Sequence, residues 1–380
     1  MNFELTKEQL QVQAVAREFA ETKLLPGVIE RDEASVFPTD LYKEFGKTGA
    51  YGLPYAEEFG GSGGTYMDYV LTVEEISKVD ASFGIAYSVN TSLYGGSIMN
   101  SSASDELKKR YIAPTTYGEK IGSFGLTEHS AGSDAAGQTT VAAKKGDKWV
   151  INGAKCFNTN GPLADFSIIY SLTDPALGTK GMCAFVVDKG TPGFTVGKIE
   201  NKMGIRCAQV SELHLENVEV PEENMIAQPG EGFKLAMKAL DGGRIGVAAQ
   251  GLGIAKGAWE IARKYMMERE QFGKPIAKQQ YLAFKMAELQ AKIQQAELMV
   301  YRAAWMKDNG KPYSVPAAMA KMTATNCAME VTTEAVQMLG GNGYMREYHV
   351  ERMMRDAKIT QIYEGTNEIQ KLVISGPIFR

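Results

Sequence analysis

The chain has 380 residues, with 41 lysines and arginines against 45 aspartates and glutamates, for a formal net charge of −4. That length implies two or three packed units sharing a large core, and the charge balance excludes the basic face that nucleic-acid binding needs. Three histidines (His129, His214, His349) stand at no ligand spacing and four cysteines (Cys156, Cys183, Cys207, Cys327) form no CxxC pair. No metal site is therefore expected, and the thiols are expected to be buried and reduced. The opening MNFELTKEQLQVQ has neither a basic lead nor an apolar stretch, and no run approaches the ~18 apolar residues of a membrane span. A soluble cytoplasmic protein is the expectation; a mitochondrial matrix location would require a transit peptide already removed.

Residues 1–121 read as a helical unit. Thr6 and Gln9 make a capping box, after which Val12, Val15, Ala16 and Phe19 share one helical face until Pro26. Further helices are expected around LYKEFGKTGA and MDYVLTVEEISKV. The intervening EEFGGSGGTY follows no apolar strand and lacks a Gly-Lys-Ser/Thr ending, so it is an ordinary loop and not a phosphate loop. Residues 122–228 change to short β-branched and aromatic runs: KWVING, FSIIYSL, MCAFVVD, GFTVGK and LHLENVEVP, with DPALG and KGTPG as turns. An antiparallel β-domain is predicted there. Residues 229–380 return to helix: Leu282, Met286, Leu289, Ile293, Ala296 and Val300 mark a long bundle helix ended by Asn309-Gly310 and Pro312. The next helix stops at Gly340-Gly341, and a last short helix is capped by Asn367, with Gln370 at its third position.

Four stretches carry candidate chemistry. GLTEHSAGSDAAG (125–137) gathers Thr127, Ser130 and Ser133 around Gly132, suiting a ligand that approaches the main chain closely, although a plain polar loop has the same composition. In KCFNTNG (155–161), Phe157 could cover a flat ring while Thr159 bonds its edge; strand packing of Phe157 is the plain alternative. In EREQFGKP (268–275), Arg269 and Gln271 flank the apolar Phe272, and an arginine there suits a phosphate or simply the end of a helix. Finally, VQMLGGNGY and RDAKITQIYEGTNEIQ place Glu364 upstream of a helix cap, where helix-dipole complementarity does not account for it.

Taken together and in order, TE.SAGSDAAG, DGGRIGVAAQGLGIA, RE.FGKP, Q.LGGNGY and IYEGTNEIQ make the whole chain resemble the acyl-CoA dehydrogenase family, nearest its short-chain, butyryl-CoA-type branch. The resemblance implies an α+β, mainly α fold: an N-terminal helical domain, a middle antiparallel β-domain and a C-terminal four-helix bundle. It implies FAD between β-domain and bundle, and a homotetramer (a dimer of dimers) in which a neighbouring subunit completes each site. Phe124, Leu126, Thr127, Gly132 and Ser133 would line the flavin, with Phe157 and Thr159 on its other side. Arg269, Gln271, Phe272, Gln279, Gln280, Gln337 and Gly341 would contact the adenosine and diphosphate, and Thr366 and Glu368 would be near the cofactor. Ser133, Asp241, Arg244, Tyr363 and Gly365 match substrate-contacting positions.

Glu364 matches the catalytic base. A proton α to a thioester is weakly acidic, so a positioned carboxylate and a stabilised enolate are what the chemistry requires. In the family the thioester oxygen is bonded by the base's own backbone N–H and by a flavin ribityl hydroxyl. Some related branches carry the base on the helix before the bundle, where this chain has Gly243, a residue that cannot titrate. His129 and His349 stand where the family commonly has proline, and Phe157-Asn158 where it has tryptophan and a hydrophobic residue.

The implied activity is α,β-dehydrogenation of a short-chain acyl-CoA to the trans-2-enoyl-CoA, with electrons passed to an electron-transfer flavoprotein. The same base and cofactor would serve an enoyl-CoA or aryl-acrylyl-CoA reductase running in reverse. A non-catalytic acyl-CoA-binding scaffold would be expected to lack Glu364 or the TE.SAGSD loop. An oxidase would be expected to carry a further C-terminal domain. Residues 88–99 are expected to wall the acyl pocket, with Tyr94 at its far end.

Overall fold

The computed structural model describes residues 4–379. Seven helices come first: α1 (Lys7–Phe19), α2 (Val28–Ala34), α3 (Thr39–Gly46), α4 (Tyr66–Ser77), α5 (Ala81–Ser88), α6 (Gly96–Met99) and α7 (Asp105–Thr116). The capping box at Thr6 and Gln9 is present, and α1 runs into a wider π-turn over Ala20–Leu24 before Pro26. A second capping box, Thr65 with Asp68, starts α4 directly after the glycine-rich loop. Another π-helical stretch, Val89–Gly95, joins α5 to α6.

The β-domain follows: β1 (Gly122–Gly125), β2 (Val141–Lys145), β3 (Lys148–Thr159), β4 (Phe166–Leu172), β5 (Met182–Asp188), β6 (Phe194–Ile199), β7 (Val210–Pro221) and β8 (Met225–Ala227). The sheet order is β6-β7-β3-β2-β4-β5-β8, with β1 beside β4. Most pairings are antiparallel, as the turn-separated runs predicted. Two are not: β1 and β2 each pair β4 in parallel. The sheet is therefore mixed, because β1 enters from the helical domain and meets β4 some forty residues later, through a crossover that no hairpin signal announces. Both faces of the sheet are covered. Ile168 and Tyr170 face one buried cluster while Ile169 faces another with Trp149, Phe185 and Leu213, which explains the unbroken apolar run of β4.

The rest is helical: α8 (Gly232–Glu268), a tight hairpin of β9 (Glu270–Gln271) and β10 (Lys274–Pro275), α9 (Gln280–Asp308), α10 (Ser314–Leu339), α11 (Val350–Thr360) and α12 (Asn367–Ile378). At 37 residues, α8 is about 55 Å long. It packs along α10, α4 and α9. Met286, Leu289, Ile293, Ala296 and Val300 are all buried on α9, on the face that their spacing assigned. One continuous core joins Phe19, Phe45, Tyr69 and Phe83 of the amino-terminal helices to Ile245, Leu252, Val300 and Val331 of the bundle. The close approach of α4 to α8 depends on a missing side chain: a Cβ at Gly253 would stand 2.3 Å from the carbonyl oxygen of Glu74. Among the described residues, no helix is long and apolar enough to cross a membrane.

Candidate active site

Glu364 lies in the short link between α11 and α12. Its backbone is left-handed, with φ +53°, and Gly365 follows at φ +88°. Such a conformation costs a non-glycine residue about 1–2 kcal/mol, so the surroundings must hold it in place. Four side chains do so. Gln370 Nε2 donates to Gly365 O at 2.8 Å, Lys321 Nζ donates to the same oxygen at 2.9 Å, and Arg244 Nε reaches Glu364 O at 3.5 Å. The Thr366 hydroxyl accepts from Ile369 N at 3.3 Å and is the true cap of α12. Asn367, the cap expected from the sequence, stands one residue later. That side chain instead turns inward to Lys321, Thr325 and Asn326, because a buried lysine offers it a stronger donor than a helix terminus does.

The carboxylate itself is aimed at α8. Both oxygens are shielded from solvent and lack a hydrogen-bond partner, although the residue as a whole is only half-buried. A Cβ built on Gly243 would stand 1.9 Å from Oε2 and 2.7 Å from Leu93 Cδ2. Burial pushes the Glu364 carboxyl up to about 8, against the pull of the Lys321 and Arg244 cations. Arg244 is fixed by Asp241, whose Oδ1 accepts from Nη1 at 2.7 Å and from Ser314 Oγ at 3.0 Å. The Tyr363 hydroxyl donates to Gln250 Oε1 on α8. Glu364, Asp241, Arg244, Tyr363 and Gly365 thus form one continuous group. Ser133 is exposed, and among the described residues no hydrogen bond joins its side chain to them. Leu93, of segment 88–99, borders the same space beside Gly243. Tyr94 points away: its ring packs over Gly122, and its hydroxyl donates to Tyr111 O at 3.0 Å.

A second group forms on the β-domain. Phe124, Leu126 and Thr127 lie on β1 and its exit, and Cys156 N of β3 donates to Thr127 O at 2.9 Å. The β3–β7 register breaks between Lys155 and Asn158, and within that bulge Phe157 takes φ +57°. The bulge turns the Phe157 ring out of the sheet, leaving it 62 % exposed, whereas Asn158 is buried and donates to Ser211 O at 2.9 Å. Thr159 ends the same strand, half-buried. Gly132 has open space where a Cβ would be. Beneath this surface, Lys155 Nζ donates to Leu126 O at 3.2 Å, Gln138 Oε1 at 3.0 Å and Glu128 Oε1 at 2.7 Å. Burial pushes the Glu128 carboxyl up, but Lys155 and the Thr139–Thr140 donors hold it down to about 2. His129 adds an exposed bond from Nε2 to Glu212 Oε1 at 3.1 Å.

The third group stays apart within one chain. Phe272 (φ +53°) and Gly273 (φ +75°) form the two-residue turn of the β9–β10 hairpin, and the Phe272 ring is 92 % exposed. Arg269, Gln271 and Gln280 are exposed around it, while Gln279 Nε2 is buried without a partner. Gln337 and Gly341 are exposed at the end of α10, and Glu368 is exposed in the first turn of α12. Sequence reasoning missed Lys321, Lys155 and Gln250. A signal for Lys321 was present: it shares a helical face with Ala317, Ala324 and Ala328, where a lysine must find a buried acceptor.

Known proteins resemble this chain along its whole length. Family profiles described as acyl-CoA dehydrogenase, N-terminal domain, middle domain and C-terminal domain match residues 6–119, 123–218 and 230–378. The chain is 52 % identical over 380 residues to a short-chain specific acyl-CoA dehydrogenase of Clostridium acetobutylicum, covering 100 % of both. It is 43 % identical over 382 residues to an acryloyl-CoA reductase (NADH) of Anaerotignum propionicum, covering 100 % of this chain and 96 % of that one. Among solved structures it matches butyryl-CoA dehydrogenase from Megasphaera elsdenii with a TM-score of 0.98, 47 % identity and full coverage of both chains. It also matches, at 0.99 and 50 % with full coverage of both, a chain solved in work on the electron transferring flavoprotein of Acidaminococcus fermentans and flavin-based electron bifurcation. This chain belongs to the acyl-CoA dehydrogenase family, in its short-chain branch.

Proposed function

We propose that the protein oxidises a short-chain acyl-CoA to the trans-2-enoyl-CoA with Glu364 as base and FAD as cofactor. The observation that carries this reading is the Glu364 carboxylate: shielded, unpartnered and directed at the space left open by Gly243. A carboxyl raised to about 8 is a stronger base than a solvated one, as α-proton abstraction from a thioester demands. No acceptor among the described residues takes the Glu364 backbone N–H, which leaves it available to the thioester oxygen as enolate charge develops. Asp241 and Arg244 hold the carbonyl side of the same loop and so fix where that N–H points.

The β-domain group fits a flat heteroaromatic ligand. Phe157 is turned outward next to Cys156, whose N–H bonds Thr127 O, and Gly132 leaves the main chain approachable. Phe124, Leu126, Thr127, Gly132, Ser133, Phe157 and Thr159 would hold the ring system, with Thr366 and Glu368 nearby. Arg269, Gln271, Phe272, Gln279, Gln280, Gln337 and Gly341 would hold the diphosphate and adenosine of a neighbouring subunit's cofactor. Bound FAD would supply the two-electron hydride acceptor. The exposed Phe272, and Tyr281 at 74 %, support a homotetrameric assembly that covers them. An electron-transfer flavoprotein is the proposed acceptor, and the cytoplasm, where CoA thioesters are made and thiols stay reduced, is the proposed location.

A second reading, reduction of an enoyl-CoA, is favoured by the similarity to the acryloyl-CoA reductase. One base serves both directions by microscopic reversibility. The test mixes purified, FAD-loaded protein anaerobically with butyryl-CoA, longer thioesters and aryl-propionyl-CoA. Loss of flavin absorbance with formation of crotonyl-CoA is expected. No bleaching with any of the panel overturns the dehydrogenase reading, and reoxidation by crotonyl-CoA faster than reduction by butyryl-CoA supports the reverse one.

A further inference from the structure

Lys321 is fully buried on α10, yet no carboxylate lies within 4 Å of it among the described residues. All its acceptors are neutral, and both come from the base loop: Gly365 O at 2.9 Å and Asn367 Oδ1 at 3.0 Å. One turn along α10, Thr325 Oγ1 accepts from Asn367 Nδ2 at 3.0 Å, so the amide that receives the ammonium is itself held in one orientation. Gln370 takes the second lone pair of Gly365 O. A buried ammonium with neutral acceptors is costly unless a nearby anion offsets its desolvation. Glu364 offsets that cost only in part: it opposes the lowering that burial imposes on Lys321, which still falls to about 7, and Lys321 in turn opposes the raising that burial imposes on Glu364.

We infer that Lys321 is a positioning residue for the reaction, clamping the left-handed Glu364–Gly365 link so that the base faces Gly243, and lending its charge to keep that base ionisable. The inference rests on Glu364 being the base, and it deepens that reading. The charged and titratable groups facing Glu364 are Arg244 from α8, Lys321 from α10, and the phenols of Tyr66 and Tyr69 from α4 with the adjacent Tyr363. Those facing Lys321 are Glu364, Arg244 and Glu368. Arg244 already has Asp241 against it, whereas the carboxylate that acts most on Lys321 is that of Glu364.

The test compares the holoenzyme with Lys321→Met and Asn367→Ala. Hydrogen exchange over residues 361–370 needs no substrate: about tenfold faster exchange is expected in both variants, with exchange along α8 unchanged. Loop exchange at the parent's rate in both overturns the clamp. The second readout is the pH profile of flavin reduction. Lys321→Met should move its midpoint up, because the ammonium opposes the raising of the Glu364 carboxyl, whereas Asn367→Ala keeps the ammonium and the midpoint. A lowered rate at an unmoved midpoint in Lys321→Met overturns the electrostatic role. If Lys321→Met fails to fold, Lys321→Gln and Asn367→Ala report on the same segment. If the parent is not reduced by any short-chain thioester, the proposed function falls, while the exchange result still decides the clamp.

Discussion

Glu364 and Gly243 compete for one space: the carboxylate oxygen Oε2 stands 1.9 Å from where a Cβ on Gly243 would be. Two elements 121 residues apart in the chain therefore share a single position, which the absence of a side chain on α8 opens and a glutamate from the α11–α12 link fills. A titratable group at both positions would overlap, which accounts physically for a base at 364 accompanying a glycine at 243.

Gly243→Ala is accordingly expected to push the carboxylate out of place while leaving α8 helical, since alanine favours helix by about 1 kcal/mol over glycine. Misplacing a base by about 1 Å can cost roughly 100-fold. Stopped-flow flavin reduction by butyryl-CoA should fall by about that factor, and an unchanged rate would show that the base does not depend on this space.

Glu364→Gln keeps the shape of the side chain and removes the proton acceptor. The variant should fold and retain FAD, while flavin reduction slows by at least roughly 10²–10⁴-fold, the usual contribution of a general base. Rapid bleaching with this variant would assign the proton to another group.

The same substitution makes a pH-dependent stability prediction. Glu364 titrates near 8 in the folded chain against the ordinary value of 4.5, so the native state binds more protons between those pH values and stability falls as pH rises through that window. The parent therefore carries a penalty, absent below about pH 4.5 and fully developed above about 8, on the order of a few kcal/mol. Denaturant titrations in matched cofactor states should show Glu364→Gln gaining on the parent from pH 5 to 8. A constant difference across that range would argue against a buried, ionisable carboxyl.

In the β-domain, Lys155 and Glu128 form an ion pair with side chains 0 % and 4 % exposed. Lys155→Met should strand Glu128 and cost about 3–5 kcal/mol, and loosen the 126–128 segment against β3. Thermal unfolding and FAD release are the measurements; a loss below about 1 kcal/mol would mean that Glu128 finds water or another donor.

Phe272→Ala and Arg269→Ala should weaken both assembly and FAD retention if the β9–β10 hairpin completes a neighbour's site. Light scattering and released-flavin fluorescence test this together. A stable, FAD-loaded monomer would remove the assembly from the proposal.

Local patterns carried the elements. The capping box at Thr6 and Gln9, the four-three spacing of Leu289, Ile293, Ala296 and Val300, and the glycine stop after Leu339 each rest on contacts within a few residues, and each appears in the structure as the spacing implied. Motif order likewise identified the family and singled out Glu364. What those patterns could not contain was any relation between distant segments. The parallel pairing of β1 with β4, the bulge that turns Phe157 outward, and the cap at Thr366 instead of Asn367 depend on which element happens to lie alongside. So do the burial that raises Glu364, the vacancy at Gly243 and the grip of Lys321. Sequence determined which residue types were available and in what local conformation; only tertiary packing decided which charges lost their water and which faced one another, because desolvation and Coulomb attraction act across space and not along the chain.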